Sequence, residues 1–367
     1  MTDEVKLRIN GIDFGGWLEV EINAGIERQA RDFKLSITRT WPGATDIPRR
    51  VKAGDVCEVF IGNDKILTGY VDATPISYSA TSVSVGVTGR SKTADLVDCS
   101  ASFKTGQWRN AKIERIASDL AKPYDIKVIA EIDTGSAISD HQIDTGETTF
   151  ESIDRLLTIR QLLSTDNANG DLVLINAGSG GKAVTALKYG ENILSANAAL
   201  DYKDVFSDYT AKGQRAGNDN DYADAVAGVS ASIKNTNVLR YRNLILQQSG
   251  NATALDCQQR VKYERVYRNS RALETVYTVQ GWRQQNGALW LPNQMVRVVD
   301  SVIGFDDDLL IIEVTYQIKS SGTTCAIKVV PKDGYIPAPE ATKKDKAKKA
   351  GKGNGKNWTD EVIPVKS

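Results

Sequence analysis

The sequence predicts a mostly β protein of the α+β class, in which two similar antiparallel β-barrels flank an α+β module. Three observations lead to this prediction. Alternation of apolar and polar residues, the period of a strand, dominates both ends of the chain. Apolar residues at helical spacing occur in the middle, and the strand-and-turn pattern of the N-terminal part returns near the C-terminus. With 367 residues, of which 41% are apolar, the chain is long enough for two to four domains.

Residues 1–95 form the first predicted barrel. Its runs of alternating or β-branched residues are separated by glycine, asparagine and aspartate, which favour tight turns. The expected strands are Val5–Ile9, Trp17–Ile22, Phe33–Thr38, Gly54–Ile61, Ile66–Asp72 and a last one through Val83, Val85 and Val87. The segment Gly62-Asn63-Asp64 lies between two of these runs and predicts a hairpin.

The predicted α+β module comprises residues 96–190 together with about 216–270. Its first helix is expected to begin after Asn110, whose side chain suits an N-cap, and to end at Pro123. The apolar residues at helical spacing within it are Ile113, Ile116, Ala117 and Leu120. Thr148 and Glu151 have the spacing of a capping box, so a second helix is expected to begin there.

Three apolar patterns complete the module. The second helix is expected to place Ile153, Leu156, Leu157 and Arg160 on one face. The turn residues Asn169 and Gly170 precede Leu172–Ile175, an apolar run typical of a buried strand. A third helix, from about Ala252 to Arg268, is expected to turn Ala254, Cys257 and Val261 inward.

Residues 191–215 and 271–335 form the second predicted barrel. Its strands are expected to form a meander, in which each strand pairs with its neighbour in the sequence. The strands are Thr275–Gln280, Met295–Val299, Leu309–Ile318 and Thr323–Val330, with turns at Asn286-Gly287, Gly304–Asp308 and Ser321-Gly322. Asp306–Asp308 predict an exposed hairpin tip. Clustered carboxylates also suit a calcium ion, but the spacing of an EF-hand is missing.

The two predicted barrels can be aligned strand by strand. The alignment pairs Val56 with Met295, Val59 with Val298, Leu67 with Leu310, Val71 with Val314, Val83 with Cys325 and Val85 with Ile327. It predicts an internal duplication. Because unrelated β-sheets share the same period of two, chance similarity is the alternative. A ring of three such chains would present six similar surfaces around its axis.

Charge and composition narrow the classes of function. Lysine and arginine total 46, as do aspartate and glutamate, so the chain has no overall attraction for nucleic acid or for an anionic membrane. No apolar run reaches the roughly 20 residues that span a bilayer, and the charged N-terminus does not predict a secretory signal. The cysteines are Cys57, Cys99, Cys257 and Cys325. Their wide separation favours free thiols.

No residue pattern singles out a catalytic, cofactor or metal site. The only histidine, His141, is expected to be a solvated or hydrogen-bonded loop residue, which leaves histidine-based triads and zinc sites without support. The segment Ala177–Ala183 lacks the glycine spacing and hydroxyl residue of a phosphate-binding loop, which favours a flexible connection. Carboxylates are numerous enough for a general acid and base, but none stands out. Trp282 and Trp290, which flank a turn, are expected to stabilise the fold.

The order of residues in the second predicted barrel resembles one protein family. The series is Gly281, Trp282, Trp290, Pro292, Asn293, Leu310, Ile311, Gly322 and Thr323. It is similar to the C-terminal barrel of the baseplate hub proteins of contractile-tailed phages, in particular the Mu-type late-control tail proteins. Two further segments, Gly146–Asn176 and Ser207–Gly217, fit the same family. The resemblance therefore covers most of the chain.

The resemblance implies a structural protein without enzymatic activity or cofactor. A hub of this family is a homotrimer in the virion, assembled in the bacterial cytoplasm. It joins a separate threefold membrane-piercing spike to the sixfold tail tube and to other baseplate proteins. The resemblance implies neither a nucleic-acid partner nor stable membrane association. Two alternatives stay open. One is a tail enzyme that degrades cell walls, and the other is the hub portion of a type VI secretion spike, although the β-helical repeats of such spikes are missing from this sequence.

Residues 336–367 are predicted to form a flexible basic tail. The lysine-rich stretch Ala341–Lys356 contains no large apolar residue and is expected to be solvated. Trp358 and the apolar end Val362–Val365 follow it. They are expected either to dock on a partner by strand addition or to fold back on their own chain.

Overall fold

The computed structural model describes residues 3–38, 51–80, 83–160, 162–214, 228–251, 253–335 and 362–363. The chain divides into two compact units, Met1–Ala198 with Thr275–Val330 and Ala199–Glu274 with Pro331–Ser367. This division groups the chain differently from the predicted domain boundaries. Residues 216–270, expected in the α+β module, belong to the second unit. The predicted tail lies outside the described residues except for Val362 and Ile363.

Residues 5–91 contain the strands of the first β region. They are β1 (Val5–Ile9), β2 (Ile12–Phe14), β3 (Glu19–Gly25), β4 (Asp32–Thr38), β5 (Val56–Ile61), β6 (Asp64–Ala73), β7 (Ile76–Tyr78) and β8 (Val83–Ser91). All six predicted strands are confirmed. β2 and β7 are additional, and their three residues each are too short to show a period.

The α+β module of the first unit occupies residues 94–175. Its elements are α1 (Ala94–Asp98), β9 (Gln107–Ala111), α2 (Ile113–Ala121), β10 (Val128–Ala130), β11 (Ile138–Gln142), α3 (Thr149–Arg160), β12 (Leu163–Asp166) and β13 (Leu172–Ile175). β10, β13 and β12 form one sheet, and β9 pairs with β11. The predicted inner faces of α2 and α3 are confirmed, because Ile113, Ile116, Ile153 and Leu156 share one buried core.

Of the two predicted helix starts in the module, one is confirmed and one is wrong. Thr148 N–H donates to the Glu151 carboxylate at 2.7 Å, and Glu151 N–H donates to the Thr148 hydroxyl at 3.1 Å, which is the expected capping box. Asn110 does not cap α2. It lies within strand β9, next to its last residue, with a left-handed φ of 47°, a conformation that asparagine tolerates, and Lys112 takes the N-cap position.

The remaining elements are divided between the two units. They are β14 (Leu187–Lys188), β15 (Ile193–Ala198), β16 (Asp208–Gln214), β17 (Val229–Lys234), β18 (Asn243–Asn251), α4 (Ala254–Ala272), β19 (Thr275–Gln280), β20 (Met295–Asp300), β21 (Phe305–Lys319), β22 (Gly322–Pro331) and β23 (Val362–Ile363). The second β region consists of β14, β15 and β19–β22. Its strands and those of the first β region belong to one 14-stranded sheet, joined where β3 pairs with β21.

The predicted meander of the second β region is wrong in one pairing. β20 and β21 form a hairpin, but β19 pairs with β15 and β22 and not with its sequence neighbour β20. The turn signal at Asn286-Gly287 misled the prediction. It closes a small excursion in which Arg283 and Leu289 form an isolated bridge, and the rest of residues 281–294 carries the chain across to β20.

The predicted hairpin tip at Asp306–Asp308 is also wrong. These residues lie within β21, opposite Val299, Val298 and Arg297 of β20, and the turn comes earlier, at residues 301–304. Two of the three acids gain cationic partners beside the strand. Asp306 pairs with Arg297, and Asp308 accepts from Lys182 Nζ at 2.6 Å. The three consecutive aspartates therefore belong to the start of strand β21 and not to a turn.

The two β regions share one strand order. In the first, the order is β1-β5-β6-β8-β4-β3, and in the second it is β14-β20-β21-β22-β19-β15. The strands also occur in corresponding order along the chain. The insertions differ. The link between β3 and β4 is residues 26–31, whereas the corresponding link between β15 and β19 contains residues 199–274. β14 pairs parallel with β20, whereas β1 pairs antiparallel with β5.

The predicted residue-by-residue alignment does not hold across the first hairpin of each region. Val59 lies opposite Leu67, but Val298 lies opposite Asp307, and it is Met295 that faces Leu310. The hairpins differ because β5 and β6 are joined by a two-residue turn and carry a bulge, whereas four residues separate β20 from β21. Val56, expected to point inward, is 53% exposed. The side chain of Val83 lies outside the described set.

The second unit is a four-stranded sheet covered by one helix. The sheet order is β18-β16-β17-β23, and α4 packs on β16 and β17. Thr253 and Asp256 form a capping box at the start of α4. Cys257 and Val261 are buried as predicted, but Ala254 is exposed, because it lies in the first turn, at the end of the helix.

Candidate assembly surfaces

His141 is a buried core residue and not a loop residue. It lies on β11 beside Trp108, and its Nε2 is 2.9 Å from the Ser152 hydroxyl. The predicted hydrogen bond is therefore confirmed and the loop placement is wrong. Burial lowers the pKa of His141, and the positive charge of Arg155 lowers it further. The side chain is 6% exposed and holds α3 against β11, which is a structural role.

Metal binding and thiol chemistry find no support among the described residues. Among the residues that the structure describes, no group of three or more histidines, cysteines, aspartates or glutamates could hold a metal ion. The four cysteines are free thiols, and burial raises the pKa of Cys57 to about 12, far from that of a reactive thiolate. In the described ranges, no helix is long and apolar enough to cross a membrane.

The glycine-rich segment Ala177–Ala183 is held by Asn293 and is not a loose connection. The Asn293 side chain accepts from Gly178 N–H at 2.7 Å and donates to the Asn176 carbonyl and the Ser179 hydroxyl. Its carbonyl accepts from Gly180 N–H at 3.1 Å. A Cβ on Gly180 would lie 2.7 Å from that carbonyl oxygen, so a glycine is needed for this close approach. The segment is structural and presents no phosphate cradle.

Trp282 and Trp290 belong to the main core, as predicted. Both side chains are almost fully buried. The Trp282 indole N–H donates to the Thr324 carbonyl at 2.9 Å, and its ring meets Tyr316 edge-on. The Tyr316 hydroxyl donates to the Trp290 carbonyl. Their burial in the main core indicates a role in the fold.

Two arginines join separate parts of the first unit. Arg283, in the link before β20, donates to Asp3 at 2.8 Å and to Asp64 at 2.7 Å, which connects the two β regions. Arg31 donates to the buried carboxylate of Asp166 through its backbone N–H at 3.0 Å and through Nε at 3.2 Å. These bonds tie the first β region to the α+β module, and a charged pair so well bonded is costly to break.

The exposed apolar side chains of the first unit include two groups, the β7 surface and the β20 rim. The β7 surface consists of Ile76 and Tyr78, which point to the same side of a strand that pairs only with β8. The β20 rim consists of Tyr189, Val299 and Val302, and Tyr189 N–H donates to the Val299 carbonyl at 2.9 Å. Exposed apolar groups of this kind at sheet edges suit contacts with another chain.

The second unit exposes a third apolar surface, the 239–241 tip. Leu239 is 99% exposed and Tyr241 is 80% exposed, at the end of the loop between β17 and β18. Arg242 fixes the base of this loop, because its carbonyl accepts from Ser207 N–H at 2.9 Å and its guanidinium donates to the Lys203 carbonyl. Sequence patterns missed all three surfaces, since period-two alternation assigns apolar residues to the core and cannot tell an exposed edge from a buried face.

Three family models match the chain in order. Residues 4–91 match the N-terminal part of the Mu phage baseplate assembly protein GpP-like family, and residues 93–176 match the second domain of the gp44-like baseplate hub proteins. Residues 253–338 match the fourth domain of the GpP family. The first two models correspond to the first β region and to the α+β module.

Relatives extend the similarity to nearly the whole chain. The baseplate hub protein gp44 of Escherichia phage Mu is 33% identical over 364 residues, which cover 97% of this chain and 94% of gp44. The crystal structure of the 43 kDa tail protein of prophage MuSo2 from Shewanella oneidensis matches with a TM-score of 0.82 and 33% identity, over 91% of this chain and 100% of that one.

More distant structures share the fold. A tail protein from Neisseria meningitidis MC58 matches with a TM-score of 0.79 and 21% identity, over 92% of this chain and 100% of that one. A component of an E. coli type VI secretion system matches with a TM-score of 0.55 and 13% identity, over 91% of this chain and 79% of that one. The identity to the Mu protein, over almost its full length, decides the family. The chain belongs to the baseplate hub proteins of Mu-like phages.

Proposed function

We propose that the protein is the structural hub of a contractile phage-tail baseplate, a homotrimeric ring that joins a separate threefold spike to the sixfold tail tube. Membership of the hub family supports the baseplate role and the location in the virion tail. The observation that carries the ring is the shared strand order of the two β regions. One chain thereby supplies two similar β surfaces, each of which acts as one barrel of the predicted pair.

A ring of three chains converts that duplication into six positions. A heterologous contact, in which the first β region of one chain meets the second β region of the next, closes into a ring if its rotation is a third of a turn. Six similar strand sets then face a sixfold partner, while every feature that occurs once per chain is repeated three times. The 14-stranded sheet supports this arrangement, because the two regions are fixed to each other through β3 and β21.

The exposed sheet edges supply the contacts between chains in this proposal. The β7 surface is present in the first β region only, because the corresponding link in the second is the tight turn between β21 and β22. The β20 rim is present in the second region only. Two different apolar edges, one on each region, are what a head-to-tail contact requires, and the first of these edges is the one we place at the interface between copies.

The two alternatives, a tail enzyme that degrades cell walls and the hub portion of a type VI secretion spike, are less well supported. A catalytic role would need a nucleophile with an acid or base, and the chain's only histidine, His141, is buried in the core beside Trp108. The similarity to the type VI component, at 13% identity, shows a shared fold only. Absence of catalysis is therefore part of the proposal. Purified protein that hydrolysed peptidoglycan, and lost this activity on replacement of one acidic residue, would contradict it.

Mass in solution tests the ring. Three chains of 40.0 kDa are expected in one particle by light scattering or native mass spectrometry. Ile76→Asp and Tyr78→Asp, which place a charge on the β7 surface, are expected to shift the particle toward single chains. Ser77→Asp is the matched control, because its side chain points to the other side of the same strand. Wild-type protein that remains monomeric at micromolar concentration would contradict the proposed trimer.

A further inference from the structure

The second unit contains a cavity that no family feature accounts for. Its volume is about 340 Å³, and it lies between the C-terminal half of α4, the turn that follows β17 and the segment after β22. Asn235 and Asn237 line it from the turn, Arg265 and Asn269 from the helix, and Asp333 from the last segment. The lining is therefore mixed, because Val266, Leu273 and Pro331 add apolar surface to these polar side chains.

The C-terminal strand β23 points toward this cavity. β23 pairs antiparallel with β17, with Ile363 opposite Ser232 and Val362 opposite Ile233. Residues that precede Val362 must therefore run in the direction in which β17 ends, which is toward Asn235–Asn237. Trp358 stands four residues before Val362, a span of about 13 Å in extended chain, and Asn237 stands four residues beyond Ile233. If this register continued along the chain, residue 358 would come level with Asn237, which lines the cavity.

The side chains of the C-terminal segment are also complementary to those that line the cavity. An indole combines a large apolar ring with one N–H donor, and the cavity offers apolar walls beside asparagine and aspartate oxygens that accept hydrogen bonds. The Arg265 guanidinium at the wall can stack on an indole face. Asp360 and Glu361 lie between Trp358 and Val362, and Lys234 and Arg265 lie along the same path, so the charges are complementary.

We propose that this cavity is a docking site for the chain's own C-terminal segment, with Trp358 inside it and Val362–Ile363 added to the edge of β17. Chain length does not prevent this. The 26 residues between Tyr335 and Val362 can span up to about 85 Å when extended. The tail then begins and ends on the second unit, so the lysine-rich stretch Ala341–Lys356 is a loop closed at both ends and not a free arm.

Disulfide trapping tests the strand pairing. Directly opposite residues on antiparallel strands have Cα atoms about 4.5–5.5 Å apart, within the range that a disulfide bridges. Ser232→Cys combined with Ile363→Cys is expected to form an intrachain disulfide in full-length protein under mild oxidation. Ser230→Cys combined with Ile363→Cys, two residues out of register, is the matched control. Equal trapping in both double variants overturns the proposal. An interchain disulfide also overturns it, because the occupant would then be a second copy.

Fluorine NMR tests the docking of Trp358. Full-length protein labelled with 5-fluorotryptophan has six resonances to assign, and the one lost in Trp358→Phe belongs to Trp358. This resonance is expected to lie away from the position of the denatured protein. Arg265→Glu is expected to move it toward that position, whereas Lys262→Glu, the same charge change elsewhere on α4, is not. A Trp358 resonance already at the denatured position, or one insensitive to Arg265→Glu, overturns the proposal.

Discussion

Replacement of Trp282 by alanine is expected to destabilise the first unit strongly. The side chain is 1% exposed, its N–H donates to the Thr324 carbonyl at 2.9 Å, and its ring centroid is 6.1 Å from that of Tyr316. Removal of a buried tryptophan costs about 3–5 kcal/mol of unfolding free energy. The carbonyl left without its donor adds about 1 kcal/mol. At about 2–4 °C per kcal/mol for a domain of this size, the melting temperature is expected to fall by roughly 10–20 °C.

Scanning calorimetry of three variants separates the contributions. Trp282→Phe keeps most of the buried ring and loses the hydrogen bond, so an intermediate fall in melting temperature is expected. Val184→Ala removes an exposed apolar side chain from the same unit and is expected to leave the melting temperature unchanged. The fold role would be refuted if Trp282→Ala melted with the wild-type protein but no longer bound other tail proteins.

Three further outcomes are expected. Asp166→Ala leaves the guanidinium of Arg31 without its buried carboxylate and should lower the free energy of unfolding by about 3–5 kcal/mol in chemical denaturation. Asp13→Ala breaks an exposed ion pair and should change this free energy little. Equal effects of the two substitutions would contradict the role of Arg31 and Asp166 in joining the first β region to the α+β module. Because burial lowers the pKa of His141, the unfolded chain binds this proton first as pH falls below about 7. The free energy of unfolding should therefore decrease as the pH falls from about 7 to the pKa of His141 in the folded protein. In His141→Gln, the melting temperature should depend less on pH in this range, and parallel profiles of the two proteins would refute the reasoning. Deletion of residues 357–367 should leave the number of chains per particle unchanged and speed hydrogen exchange of β17 amides, and unaltered exchange would argue against the strand pairing.

Strand and helix positions were largely predictable because their signals are local. The alternation in β1, β4 and β5 and the capping box at Thr148 depend on neighbouring residues only. Pairing was less predictable. The Asn286-Gly287 signal is a true turn, but it closes an excursion inside a link and does not join two long strands. Which strand becomes the neighbour of β19 is decided by packing across the whole sheet, and a local motif carries no such information.

The assembly surfaces could be predicted least. Val56 belongs to an alternating strand and was expected to point inward, yet it is exposed, and Ile76 lies on a strand that was not predicted. His141 shows the opposite error, since a polar surrounding sequence suggested solvent while Trp108 and α3 cover the ring. Burial of a single side chain depends on which elements pack over it, and those elements are distant in the sequence.

The unequal links between matching strands would decide which symmetry a partner encounters on the proposed ring. Six residues connect β3 to β4, whereas 76 residues, Ala199–Glu274, separate the corresponding strands β15 and β19. Around a closed ring of three chains, the strand sets recur every sixth of a turn, but this inserted unit recurs only every third of a turn. A partner that touches the strands alone would encounter six equivalent positions, and one that touches the inserts would encounter three. In the proposed ring, the inserted segment Ala199–Glu274 would therefore mark the threefold positions among the sixfold ones.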